Sequence, residues 1–276
     1  MPTLSAFADE VSQDPQSQMD TLGANGVKYI ELRAAFGTNV LKLSEDQCAE
    51  LKKQYSDRGF GVSCIASPIG KVRLDEDRSR HFDDFKHAVD LAEFFDSRYI
   101  RIFSYYPPEG EAIVKYRGQV IDRLNEQVDY VTNRNVTLVL ENESNLFGAV
   151  PERCVYLLAA VRSKKLVAAF DPANFVNMDI PDIYHTCWMP LRSYVGYFHI
   201  KDFKYGERDR AVPAGEGDGD IPAILRDAAA DGYHGFLALE PHLIRAHHST
   251  GETGRDLFRV ATDAIKKICA DIGWMV

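Results

Sequence analysis

Eight short runs rich in β-branched and aromatic residues alternate with eight longer stretches of helical period, and few folds accommodate that rhythm. The runs are Leu4–Phe7, Val27–Leu32, Gly61–Ala66, Tyr99–Phe103, Thr137–Glu141, Val167–Asp171, Val195–Ile200 and Phe236–Glu240. Apolar residues return every three or four positions near 16–24, 44–57, 79–96, 112–133, 151–162, 182–193, 221–230 and 254–271, which predicts a helix after every strand. Ser44 followed by Glu45 and Gln47 has the form of a capping box, and Gly59 supplies a stop for the same helix. An open doubly wound sheet would bring a glycine-rich first turn and fewer strands, whereas the first loop here reads Ala8-Asp9-Glu10-Val11. The expectation is an α/β chain forming a single (β/α)8 barrel over residues 1–276, with no second domain.

Composition narrows the partners. With 45% hydrophobic and 26% charged residues the chain reads as an ordinary globular protein. A formal charge of −9 repels a phosphate backbone, so nucleic acid is not expected as a partner. No apolar stretch approaches membrane-spanning length, and Met1–Glu10 lacks a signal-peptide pattern, so the sequence reads as cytoplasmic with no membrane partner. The five cysteines form no C-x-x-C pair and read as reduced, buried hydrophobes. A homo-oligomer stays open.

In a barrel, reactive side chains sit at the C-terminal ends of the strands. The last residue or two of the last four runs supply Glu141, Asp171, His199 and Glu240. Any one of these carboxylates taken singly is more often a helix cap or a solvated loop charge. Four successive strands ending in metal-competent groups are a different matter, because neighbouring strands lie about 4.8 Å apart and their ends can converge on one ion. Three carboxylates and one imidazole make an oxygen-rich site for one divalent cation, with manganese the first expectation and magnesium, cobalt or zinc as alternatives. Period-two alternation puts Glu143 on the side of Glu141, where it is a rival ligand or a nearby base. The same alternation puts Lys201 on the face of His199, either facing a substrate oxygen or in a surface salt bridge with Asp202.

Gly215-Glu216-Gly217-Asp218-Gly219-Asp220 lacks the Lys-Ser/Thr of a P-loop and the terminal Glu of an EF-hand. It reads as a rim loop whose Glu216 contacts a ligand or orients Lys201. His81, His87, His185, His234, His247 and His248 show no paired spacing and read as structural or solvated, while His242, two residues after Glu240, is left between these readings.

The segments Val27-Lys-Tyr-Ile-Glu31-Leu-Arg33, Ala66-Ser-Pro-Ile-Gly-Lys71, Leu140-Glu-Asn-Glu143, Phe170-Asp-Pro-Ala-Asn174, His199-Ile-Lys-Asp202, Pro213-Ala-Gly-Glu-Gly-Asp218 and Leu239-Glu-Pro241 together carry a resemblance. The chain resembles the xylose isomerase-like TIM barrel superfamily, in particular the sugar phosphate isomerase/epimerase group with its ketose 3-epimerases and inosose dehydratases. The resemblance implies Glu141, Asp171, His199 and Glu240 as metal ligands, with Glu141 and Glu240 also as the acid/base pair, and the strand alternation adds Lys201 as a third candidate catalytic group. Candidate substrate contacts are Glu31, Lys71, Glu143, Asn174 and Glu216. Asn174 stands where characterised ketose 3-epimerases usually carry a substrate-touching histidine, which counts against free-ketose epimerisation.

The expected activity is metal-dependent isomerisation or epimerisation of a sugar or polyol-derived ketone through an enediolate. A lyase acting through the same intermediate is the second reading, and a non-catalytic sugar-binding barrel the third. A DNA-repair nuclease on this fold would need further metal histidines and a basic groove, and the chain has neither.

Overall fold

The computed structural model describes residues 1–208, 210–246 and 251–276. Eight parallel strands close into a barrel in sequential order. They are β1 (Thr3–Ala6), β2 (Tyr29–Leu32), β3 (Gly61–Ile65) and β4 (Tyr99–Ile102), then β5 (Thr137–Glu141), β6 (Leu166–Phe170), β7 (Val195–Ile200) and β8 (Phe236–Leu239). Closure comes from β1 pairing in parallel with β8, Ser5 opposite Ala238 and Ala6 opposite Leu239. No described helix is long and apolar enough to cross a membrane.

Several expected helices appear with ends within two residues of expectation, for example Glu45–Asp57, Arg78–Phe94 and Gly254–Asp271. The capping box is present, Ser44 Oγ accepting from the Gln47 amide while the Gln47 side chain accepts from the Ser44 amide. The helix expected over 182–193 is instead a π turn, Tyr184–Trp188, followed by short helical pieces ending at Tyr194. Pro190 withholds a backbone donor there, and apolar spacing cannot tell a π turn from an α-helix. Two small antiparallel hairpins, Ala34–Ala35 with Thr38–Asn39 and Asp202–Phe203 with Ala211–Val212, add to the barrel mouth and were not expected. Each is too short to leave a periodic signal.

Burial is layered. The large apolar sheath lies between strands and helices, and a separate inner cluster of Phe7, Cys64, Ala66, Val139, Ala169, Tyr197 and Ala238 fills the barrel. All five cysteines are free and buried. Alanines among the inner residues leave room for long polar side chains above them, which is where the site forms.

The β3 loop is fixed by close approach. Gly70 has φ +88°, and a Cβ there would lie 2.1 Å from the Phe103 carbonyl oxygen. Its amide donates to His81 Nε2 (3.1 Å), so that histidine is structural, as expected. Gly70→Ala is expected to cost more than about 2 kcal/mol, combining φ strain with a backbone clash, and to shift Lys71. Chemical denaturation of the variant measures the cost.

Candidate metal centre

Strand ends position the four expected ligands. Glu141 is the last residue of β5, Asp171 and Glu240 directly follow β6 and β8, and His199 lies within β7 opposite Ala238. One ligand atom from each lies within 4.8 Å of all the others, and all four residues are buried. Glu141 and Glu240 line a cavity of about 410 Å³ whose lining also includes Glu143, Asn174, Lys201 and His242, while Asp171 and His199 are fully buried behind it.

Each carboxylate is held by cations or amides. Arg101 Nη1 donates to Glu141 Oε2 (3.2 Å), and Asn174 Nδ2 donates to Glu141 Oε1 (3.2 Å). Arg33 Nη1 donates to Glu240 Oε1 (2.8 Å) and Lys201 Nζ to Glu240 Oε2 (3.1 Å). Lys201 Nζ also lies 2.7 Å from Asp171 Oδ2, while Asp171 Oδ1 accepts from the Asn174 amide. Asn142, pointing away from the cavity, exchanges two hydrogen bonds with the Asp171 backbone and ties β5 to β6.

The titrations follow from this. Burial would raise Glu141, but His199 and Arg101 outweigh it and hold the carboxyl down at about 2. Burial is likewise outweighed at Glu240, where Lys201, His242 and Arg33 keep it well below the ordinary range. At Asp171 burial wins over Lys201, and the carboxyl rises to about 6.

His199 explains Glu31. Glu31 is fully buried beneath the site, with Oε1 3.0 Å from His199 Nε2 and Oε2 accepting from the Tyr197 hydroxyl (2.9 Å). It is therefore not a wall of the cavity, and its expected substrate contact gives way to a hold on the imidazole. With Nε2 engaged, His199 Nδ1 faces the carboxylates, 3.3 Å from Glu141 Oε1 but outside hydrogen-bond geometry. That buried nitrogen beside three converging carboxylates fits a divalent cation.

Other expected contacts sort by position. Lys71 Nζ donates to Glu143 Oε2 (2.9 Å), and both line the cavity, with Glu143 outside the four-atom cluster. Glu216 is exposed and does not line it, because the loop is anchored the other way round. Asp202 is buried and accepts from the amides of Gly215, Gly217 and Gly219. A Cβ at Gly217 would lie 2.3 Å from Asp202 Oδ1, so the glycines are what let the loop fold onto this carboxylate. Asp202 is thus committed to the loop, and Lys201 to Asp171 and Glu240, which removes both the surface salt bridge and the link from Glu216 to Lys201. His247 and His248 lie outside the described residues.

The sequence reading gave Asp9, Glu10 and Arg33 no role. Arg33 Nε donates to Asp9 Oδ2 (2.8 Å), and Glu10 Oε2 accepts from the His242 amide (2.9 Å) and the Thr253 hydroxyl (2.7 Å). His242 Nε2 lies 3.1 Å from Glu10 and 3.5 Å from Glu240. Glu10, Glu240 and His242 also bring ligand atoms together, but the Arg33 guanidinium already supplies their positive charge.

The family model for the xylose isomerase-like TIM barrel matches residues 19–265. The chain belongs to the xylose isomerase-like TIM barrel family. Within that family's fold it is similar to a xylose isomerase-like TIM barrel protein from Mycobacterium smegmatis in complex with magnesium, at 17% identity over 98% of this chain and 97% of that one, TM-score 0.77. It is also similar to the probable 3-DHS dehydratase AsbF of Bacillus anthracis, involved in petrobactin synthesis, at 15% identity over 96% and 99% of the two chains, TM-score 0.72. A third similar structure is the 3-keto-D-glucoside 4-epimerase of E. coli, at 14% identity over 98% and 100%, TM-score 0.73. At such identities the likeness is one of fold. No curated protein matches the chain in sequence.

Burial opposes a charge on His199, yet the Glu31 and Glu141 carboxylates outweigh it and raise the imidazole to about 10 in the absence of a cation. A raised folded-state value contributes stability that is complete below the ordinary value of 6.5 and is lost as pH rises through about 10. Glu31→Gln is expected to bring the His199 titration in metal-free protein well down toward the ordinary value. NMR titration of the ring protons measures it.

Proposed function

We propose that this chain is a divalent-metal-dependent sugar isomerase/epimerase, one (β/α)8 barrel over 1–276, that works through an enediolate on a keto-sugar or polyol-derived ketone. The observation that carries this reading is the convergence of Glu141, Asp171, His199 and Glu240, two of which, Glu141 and Glu240, line a cavity that also presents Lys201. These four residues would hold the cation, with manganese the first choice. The magnesium complex of the M. smegmatis relative supports a hard divalent ion. When bound, such an ion polarises a ketone and its neighbouring hydroxyl, which acidifies the C–H between them.

The chain's own residues do the rest. Glu141 and Glu240 reach the cavity from β5 and β8, strands separated by β6 and β7 in the barrel. Both are carboxylates at neutral pH, so either can take the C–H proton. Return of a proton from solvent to the opposite face, by way of the other member, inverts the centre, and loss of the abstracted proton to solvent resets the pair. Lys201 places its ammonium beside Glu240, where it offsets the oxyanion of the enediolate. Asn174 both lines the cavity and steadies Glu141, combining a substrate contact with a positioning role.

The same enediolate dehydrates when the second acid protonates a departing hydroxyl, and the dehydratase among the similar folds keeps this as the alternative. Asn174 in place of the ketose 3-epimerase histidine favours an oxidised polyol or a keto-glycoside over a simple ketohexose. The name of the E. coli keto-glucoside epimerase points the same way.

The purified protein is expected to retain about one divalent ion per chain, measured by elemental analysis after mild dialysis. Metal-free protein that cannot be reconstituted with manganese, magnesium, cobalt or zinc would overturn the reading. His199→Ala should keep the fold yet weaken binding by at least the roughly 10–100-fold that loss of an outer-shell partner costs, read by calorimetric titration.

Turnover in deuterated water should place deuterium on the carbon beside the carbonyl. An epimer keeps the substrate mass apart from the label, whereas the lyase product loses water and absorbs in the ultraviolet. Fructose or its 3-epimer emerging as the best substrate would restore plain ketose epimerisation.

A further inference from the structure

The two glutamates of the proposed acid/base pair are held alike. Glu240 Oε1 accepts from Arg33 Nη1 (2.8 Å), while Oε2 accepts from Lys201, which also reaches Asp171. Glu141 Oε2 accepts from Arg101 Nη1 (3.2 Å), while Oε1 accepts from Asn174 and lies 3.3 Å from His199 Nδ1. Each carboxylate thus turns one oxygen toward the ligand cluster and gives the other to a guanidinium.

The two guanidiniums meet on one ring. Arg33 Cζ lies 4.7 Å and Arg101 Cζ 5.2 Å from the centre of the Phe7 ring. Phe7 is fully buried, and its ring also meets that of His199 edge-on, with centres 5.2 Å apart. It follows β1 directly, and its amide donates to the carbonyl of Leu239 (3.0 Å), the residue before Glu240. Each guanidinium is tied a second time, Arg33 Nε to Asp9 Oδ2 (2.8 Å) and Arg101 Nη2 to the Ala66 carbonyl (3.2 Å). A continuous line of contacts therefore runs Glu240, Arg33, Phe7, Arg101, Glu141.

Charge alone does not account for the ring. Neutralising a carboxylate takes a cation, which a lysine supplies, whereas a flat guanidinium against an aromatic face also has a fixed orientation. The inner cluster is otherwise alanine, valine and cysteine, and its two large members each sit beneath groups of the site. Tyr197 holds Glu31, and Phe7 holds the two arginines. Inversion makes the spacing matter, because both carboxylates must reach one carbon from opposite faces. A misplacement of about 1 Å in such a geometry costs on the order of 100-fold.

We propose that Phe7 is a positioning residue whose ring, braced against Arg33 and Arg101, sets the separation and facing of Glu240 and Glu141. The proposal rests on the acid/base reading of those two glutamates and adds what holds their geometry.

The consequence is a changed partition and not a uniform loss. An enediolate protonated by the group that formed it returns as labelled substrate, and one protonated from the opposite face leaves as epimer. Magnesium-loaded protein is incubated in deuterated water with methyl 3-keto-β-D-glucopyranoside. NMR at early times follows label in recovered substrate and in epimer, above the protein-free rate. In Phe7→Leu the epimer formed per labelled substrate is expected to fall about tenfold or more. Arg101→Lys keeps a charge beside Glu141 and leaves Phe7 in place, and it should move the partition in the same direction. A second measurement needs no substrate. In metal-free protein the Nη–H signals of Arg33 and Arg101 should be separate, as hindered rotation requires, and should merge in Phe7→Leu.

Labelling and epimerisation that fall in equal proportion in both variants would mark Phe7 as ordinary packing and overturn the proposal. So do Nη–H signals that stay separate in Phe7→Leu. If Phe7→Leu does not fold, the partition in Arg101→Lys decides. A wild-type protein that neither labels nor epimerises the probe counts against the enediolate reading instead, and the guanidinium signals then decide the positioning role.

Discussion

Three carboxylates crowded within 4.8 Å of one another, away from water, are the constraint around which this barrel mouth is organised. Each uncompensated charge would cost several kcal/mol after relaxation. Arg101 meets Glu141, Lys201 meets Asp171 and Glu240, and Arg33 meets Glu240, so the chain brings its own positive charge to the cluster. This tempers an argument from repulsion alone. A cation is not required to keep the carboxylates together, and the stronger indication of one is the imidazole Nδ1 that points at them, 3.3 Å from Glu141 Oε1 and outside hydrogen-bond geometry.

Below the carboxylates a second set of contacts fixes that imidazole. Glu31 takes Nε2 of His199 and is itself held by the Tyr197 hydroxyl, which also contacts Ser63. Polar groups this deep in a barrel are tolerated because each has a partner, and the alanines of the inner cluster give them space. The orientation of one ligand at the rim is thereby set from the barrel's interior.

The parts of this arrangement legible in the sequence were those that depend on strand position. Glu141, Asp171, His199 and Glu240 could be picked out because a parallel barrel presents its strand ends on one face, and those residues stand at or next to the ends of their runs. Their counterions could not. Arg33 and Glu240 are 207 positions apart, and no local pattern records that they meet. Glu31 was assigned to the substrate, yet its strand carries a register shift between Ile30 and Glu31 that period-two counting cannot anticipate. Glu216 was misplaced for a simpler reason, since the loop is organised by Asp202 accepting from glycine amides, and backbone donors leave no mark in composition.

The Asp202 cradle has a bearing on how such a barrel diversifies. Asp202 and Phe203 pair with Ala211 and Val212, and the glycines beyond close onto the same carboxylate. Residues 204–208 are thus pinched off from the strand that carries His199 and leads into Lys201. Insertions or deletions in that segment can remodel what meets the outer end of a substrate while the reacting groups keep their register. Variation in specificity is in this way mechanically insulated from variation in chemistry, and a library confined to those positions would sample new ligands on an unchanged reaction centre.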